Sequence, residues 1–107
     1  MKFVKLSGSD EFASPLLVAT NPTMTEVHLV PEGETHLISM YVINADNSNP
    51  HELLGNFGAG ANTINHDVPA ETTVKILDDV ALVGPAALSL SKVTGSLRVM
   101  GHAKVLP

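Results

Sequence analysis

At 107 residues the chain is long enough to bury one modest core and too short for two. A net charge of −5, with six basic residues set singly along the sequence, excludes a nucleic-acid backbone or an anionic membrane surface as the expected ligand. The absence of cysteine removes disulfides, thiolate nucleophiles and cysteine zinc sites, and a 4% aromatic content leaves an aliphatic core.

The N-terminus has a basic start but no apolar run of signal-peptide length, so the expectation is a protein made and kept without export by that route. Residues 2–6 read as a short strand and residues 7–11 as a polar linker. Residues 16–20 form a second apolar run, closed by Asn21-Pro22. Together residues 1–22 read as an N-terminal arm or edge strands, and residues 23–107 as a β-sandwich domain.

Residues 25–30 alternate, placing Val27 and Leu29 on one face and Glu26 and His28 on the other. Pro31-Glu32-Gly33 breaks this run. Residues 35–44 are then apolar on both faces, which marks a central strand covered on both sides, by the core on one and by the arm or another subunit on the other. Asn44 to Pro50 is a loop by composition, since Asn, Asp and Ser bond their own backbone and tolerate turn dihedrals.

Residues 51–57 read as a strand, with a helical turn at Glu52-Leu53-Leu54 as the alternative, and residues 58–62 as a Gly-rich turn. The Val-Pro form of residues 30–31 returns at Val68-Pro69, each time followed by a polar turn and a β-branched run. Residues 72–77 leave the second corner, and Asp78-Asp79 reads as a solvated strand exit before residues 80–83. Residues 87–93 alternate, with Leu88 and Leu90 inward and Ser89, Ser91 and Lys92 outward. The Gly95 turn closes a hairpin into a last strand, with Leu97, Val99 and Gly101 on one face and Arg98, Met100 and His102 on the other. No window sustains a helical period, so the fold class is all-β: a single-domain antiparallel β-sandwich, jelly-roll or Ig-like, with an N-terminal arm.

Chemistry is thinly signalled. His28 and His36 flank the first corner, where in a hairpin they would lie near each other, and would seat zinc only if a third ligand, Glu34 or His66, converged; two surface histidines beside a turn is the plainer reading. Asp46, Asp67, Asp78 and Asp79 lack a calcium-loop spacing. No Gly-x-Ser-x-Gly elbow is present, and residues 58–62 lack the Lys and helix of a phosphate loop. The expectation is therefore no enzyme, no cofactor and no metal ligands. The apolar excess at Leu16, Leu17, Val18, Ile38, Met40 and Val42 reads as a subunit interface, and residues 80–83 add to it.

Residues 25–44, from Thr25-Glu26-Val27 through Val30-Pro31-Glu32-Gly33 to Ile43-Asn44, and then Asp67-Val68-Pro69-Ala70-Glu71-Thr72, resemble small β-sandwich structural proteins of tailed bacteriophage virions. The resemblance implies a non-enzymatic virion component, assembled in the host cytoplasm and sited on the capsid exterior or the tail. Its foremost form is a decoration or cement protein docking on the head lattice as a symmetric homo-oligomer, a trimer among the options. Its partners are then copies of itself and the major capsid protein or another virion protein, with no nucleic acid and no membrane. The alternative it implies is a tail or fibre module binding a host surface or carbohydrate through residues 44–50 and 59–62.

Overall fold

The computed structural model describes residues 2–10, 13–57 and 63–107, leaving aside the side chain of Phe57. Nine strands are formed: β1 (Lys2–Lys5), β2 (Leu16–Leu17), β3 (Thr25–Val30), β4 (Thr35–Asn44), β5 (His51–Phe57), β6 (Thr63–Val68), β7 (Thr72–Val83), β8 (Ala86–Lys92) and β9 (Leu97–Val105). The β5 segment is strand throughout, and no helix occurs among the described residues. The Gly-rich turn at 58–62 lies outside them.

One sheet has the order β1-β9-β4-β7, with β2 also on β9; the other has the order β3-β8-β5-β6. All strand pairs are antiparallel, and they nest: β1 and β2 with β9, β3 with β8, β4 with β7, β5 with β6. Such nesting is one long hairpin, which the β4–β9 and β5–β8 pairings roll into two sheets. The fold is a jelly-roll β-sandwich. We call the two layers the β9–β4 sheet and the β8–β5 sheet.

Strand periodicity fills the space between the sheets. Ile38, Met40 and Val42 of β4, Val99 and Ala103 of β9, and Leu88 and Leu90 of β8 are all fully buried there. The N-terminal residues belong to this core, because Leu6 and Val18 have no exposure and β1 and β2 lie end to end along β9.

Four local readings from the sequence are corrected. The Gly95 turn closes no hairpin, because β8 and β9 stand in different sheets and pair with other strands. In β3 a register shift between Glu26 and His28 turns both Val27 and His28 inward and leaves Leu29 exposed. Gly8 makes this possible, since its backbone closes on Val27 and donates to the Val27 carbonyl, an approach that a Cβ would block. Asp78-Asp79 is no strand exit: β7 runs straight through it with a bulge opposite Ser39, where Asp79 takes a positive φ of 51° and its N–H donates to Ser39 Oγ. Lys92 faces inward, as strict alternation with Leu88 and Leu90 requires, and its Nζ donates to the buried Val18 carbonyl. The charge suggested the surface; the pleat decided otherwise.

Both Val-Pro corners carry the chain from the β8–β5 sheet to the β9–β4 sheet, β3 into β4 and β6 into β7. Thr35 pairs with Val83 and Asn44 with Thr72, so the two corners stand at opposite ends of the β4–β7 ladder. In each the Val is fully buried, and the third residue after it has a left-handed backbone, Gly33 at φ 84° and Glu71 at φ 56°.

Candidate functional site

Three constellations bring polar or apolar side chains together: a histidine chain at the first corner, an Asp-His-Thr tie at the second, and the outer face of the β9–β4 sheet.

At the first corner, His28 on β3 and His36 on β4 both point inward from different sheets, and their rings meet in the interior with His28 Nε2 at 2.8 Å from His36 Nδ1. The Ser7 N–H donates to His28 Nδ1 at 3.0 Å, which fixes the protonation of the rest. His28 therefore carries its proton on Nε2 and donates it to His36 Nδ1, and His36 donates from Nε2 to Glu34 Oε1 at 2.8 Å. All four ring nitrogens are occupied. Burial, reinforced by the neighbouring His36, holds the His28 pKa down at about 4, so its ring is neutral over the ordinary pH range. The convergence of His28, His36 and Glu34 is thus a hydrogen-bonded chain. His66 bonds the Asp67 carbonyl on β6 instead, and no metal-binding group of three appears among the described residues.

At the second corner, Asp46 binds the Ser48 and Asn49 N–H groups and His51 Nε2, and these bonds, the Ser48 one foremost, lower its pKa to about 2. With that carboxylate ionised, His51 donates from Nε2, and its Nδ1 accepts from Thr94 Oγ1 at 3.0 Å. The order hydroxyl, imidazole, carboxylate is that of a nucleophilic triad. Here its contacts tie loop 44–50 to the 93–96 turn: the imidazole is buried against Gly95, whose φ of 74° and missing Cβ make room for the ring. Neighbouring Asn44 is equally structural, its amide donating to the carbonyls of Asn49, Val68 and Pro69. No sequence pattern links Asp46, His51 and Thr94.

The third constellation is a surface. The outward residues of the β9–β4 sheet fall in cross-strand rows, Leu17-Arg98-Ile43-Thr73, then Met100-Tyr41-Lys75, then Phe3-Lys104-Leu37-Ala81, with Val83 beyond. Phe3, Leu17, Tyr41, Val83 and Met100 are 38–66% exposed, and only Met24, Leu29 and Val93 are comparably exposed large apolar residues elsewhere among the described ones. The Lys75 ammonium group lies 5.6 Å from the centre of the Tyr41 ring and that of Lys104 5.7 Å from the centre of the Phe3 ring, so each cation sits over an aromatic face. Lys75 pairs with Asp78 at 2.9 Å and Lys104 with Asp79 at 3.1 Å. The bond to Lys104 lowers the Asp79 pKa, and the bond to Asp78 raises that of Lys75. Lys5 and Arg98 add two further cations to this face. An acidic chain therefore presents one apolar, mildly basic face.

The residues that the sequence marked as an interface divide between the two sides of this sheet. Val18, Ile38, Met40 and Val42 are fully buried in the chain's own core, Leu16 is half-buried against it, and Leu17 alone lies exposed on the outer face. The pleat explains the split, since β4 sends Ile38, Met40 and Val42 inward and Leu37, Tyr41 and Ile43 outward. No family model matches the chain, and no curated protein or solved structure matches it.

Proposed function

We propose that the chain is a non-enzymatic structural protein that assembles through the outer face of the β9–β4 sheet. In its finer form the proposal is a virion decoration or cement protein seated on a capsid lattice. The observation that carries it is the concentration of exposed Phe3, Leu17, Tyr41, Val83 and Met100 on that one face, among cations Lys5, Lys75, Arg98 and Lys104. Tyr, Phe, Met and Arg are the residues enriched in protein interfaces, and an apolar sheet face left to solvent is a liability on a monomer.

The charge favours one mode of contact. With Lys75 and Lys104 paired to Asp78 and Asp79, two such faces brought together about a twofold axis would still bring their Lys5 and Arg98 cations onto one interface, whereas the acidic remainder of another subunit or an acidic capsid surface would complement them. Head-to-tail contact of that kind closes into rings, the arrangement a trimer uses. The fold agrees with a shell role without specifying one, since jelly rolls serve in capsids, lectins and enzymes alike.

Sedimentation velocity of the purified chain tests the assembly reading. An assembled species above the 11.2 kDa chain mass is expected, reverting to single chains in Tyr41→Glu and Met100→Glu with unchanged circular dichroism. A monomer at all concentrations that also fails to pellet with virion shells would remove the proposal.

A further inference from the structure

The opposite layer holds a different kind of surface. On the outer face of the β8–β5 sheet a groove of about 410 Å³ runs over two cross-strand rows, Ser91-Leu54-Asn65 and the neighbouring Asn56-Thr63 pair, with Asn21 and Met24 of the β2–β3 connection forming its wall. Its volume falls within the roughly 300–1,000 Å³ of small-molecule sites. What distinguishes it is its chemistry: Asn21, Asn56, Asn65, Thr63 and Ser91 are among its lining residues, and none of the described lining residues is charged.

We infer that this groove binds a neutral polyhydroxylated ligand, a hexose or N-acetylhexosamine unit. A sugar hydroxyl donates and accepts at once, and so do side-chain amides and hydroxyls; carboxylates, ammonium groups and guanidinium groups do not. Among the described lining residues a phosphate or carboxylate ligand would find no cation, and a metal or amine no anion. Leu54 at the centre and Met24 on the wall offer apolar contact for the C–H face of a sugar ring.

Ser91 supplies a second and independent observation. It is 1% exposed, and its Oγ is the one buried side-chain polar atom among the described residues that has no hydrogen-bond partner. A buried hydroxyl left unpaired costs about 1–3 kcal/mol, so natural structures rarely keep one without a use. Closed to water in the free chain, the hydroxyl is satisfied where a ligand hydroxyl reaches it by a small adjustment of the groove floor. With no aromatic platform among the described lining residues, a weak affinity for one sugar unit, of about millimolar order, is expected. The groove lies on the sheet opposite the docking face, so this inference stands apart from the assembly proposal.

The test is a titration of the ¹⁵N-labelled full chain, followed amide by amide, with glucose, galactose, mannose and N-acetylglucosamine, and with inorganic phosphate and a neutral unstructured peptide as comparators. Saturable shifts at Leu54, Asn56, Asn65 and Ser91 with at least one sugar are expected, weakened about tenfold in Asn56→Ala and Asn65→Ala. Ser91→Ala should also weaken the sugar response while raising Tm, because it removes the unpaired hydroxyl; a merely structural serine would not give that opposed pair of effects. The inference is overturned by silence toward all four sugars, by sugar shifts that persist unchanged in the Asn variants, or by phosphate or the peptide moving the same amides as strongly.

Discussion

The two Val-Pro corners perform the same geometric task with different chemistry. Each passes the chain from the β8–β5 sheet to the β9–β4 sheet, with a buried Val, an exposed Pro and a left-handed third residue after the Val. The first corner uses Gly33 and is backed by two buried histidines; the second uses Glu71 and is backed by an ionised aspartate and a buried asparagine. What repeats is the backbone path. The side chains that stabilise each end were chosen separately, and they respond to different conditions.

Acid should separate the two ends most sharply. His28 titrates at about 4 in the fold against 6.5 ordinarily, so as pH falls the unfolded chain takes up its proton first. Stability linked to this site is complete above about pH 6.5 and declines until about pH 4, by about 3 kcal/mol in all. Asp46, held down at about 2 from 3.8, contributes stability that is complete above its ordinary pKa and is lost only as pH falls toward 2. Urea denaturation at steps from pH 7 to 3 should therefore show the main fall between 6.5 and 4; a flat profile there would contradict the histidine chain.

Next in size is Asn44→Ala at the second corner. It leaves the carbonyls of Val68, Pro69 and Asn49 without their shared amide donor and frees the Asp46 N–H from Asn44 Oδ1. A loss of about 2–3 kcal/mol is expected from the denaturation midpoint. A loss below about 1 kcal/mol would mean that water replaces the amide without penalty.

The smaller effects compare the two left-handed residues directly. A Cβ on Gly33 would meet nothing nearby, so Gly33→Ala should cost only the backbone penalty, about 1 kcal/mol by thermal melt. Glu71→Gly relieves that penalty at the second corner but loosens the unfolded chain, so a gain of a few tenths of a kcal/mol is expected. Opposite signs for the two substitutions would sharpen the comparison, and equal signs would break it.

The sequence displayed the strands clearly and their partners poorly: the Gly95 turn read as a hairpin, yet β8 and β9 belong to different sheets. Alternation in residues 87–93 and 97–105 marks which side chains face inward, because the pleat imposes it locally; nothing local states that β9 lies between β1 and β4. The apolar double face of β4 was legible, yet which half is core depends on the sheet opposite, and the arm expected over the other half pairs with β9 instead. His28 and His36 were readable as neighbours, although they meet across the interior between sheets rather than along a hairpin. Lys92 was misplaced because its charge outweighed the alternation, and the Asp46-His51-Thr94 tie and the groove over Leu54 join residues distant in sequence that only the rolled topology brings together.

The nested pairing also sets an order on synthesis. Strands β5 and β6 are adjacent in the chain and can pair as soon as both have left the ribosome, whereas β1 and β2, among the described residues, have their sheet partner in β9 alone. Leu6 and Val18 must therefore wait, unburied, until residues 97–105 have emerged. The closing step joins β1 and β2 to β9, so a chain cut short before residue 97 lacks not just β9 but the partner of both.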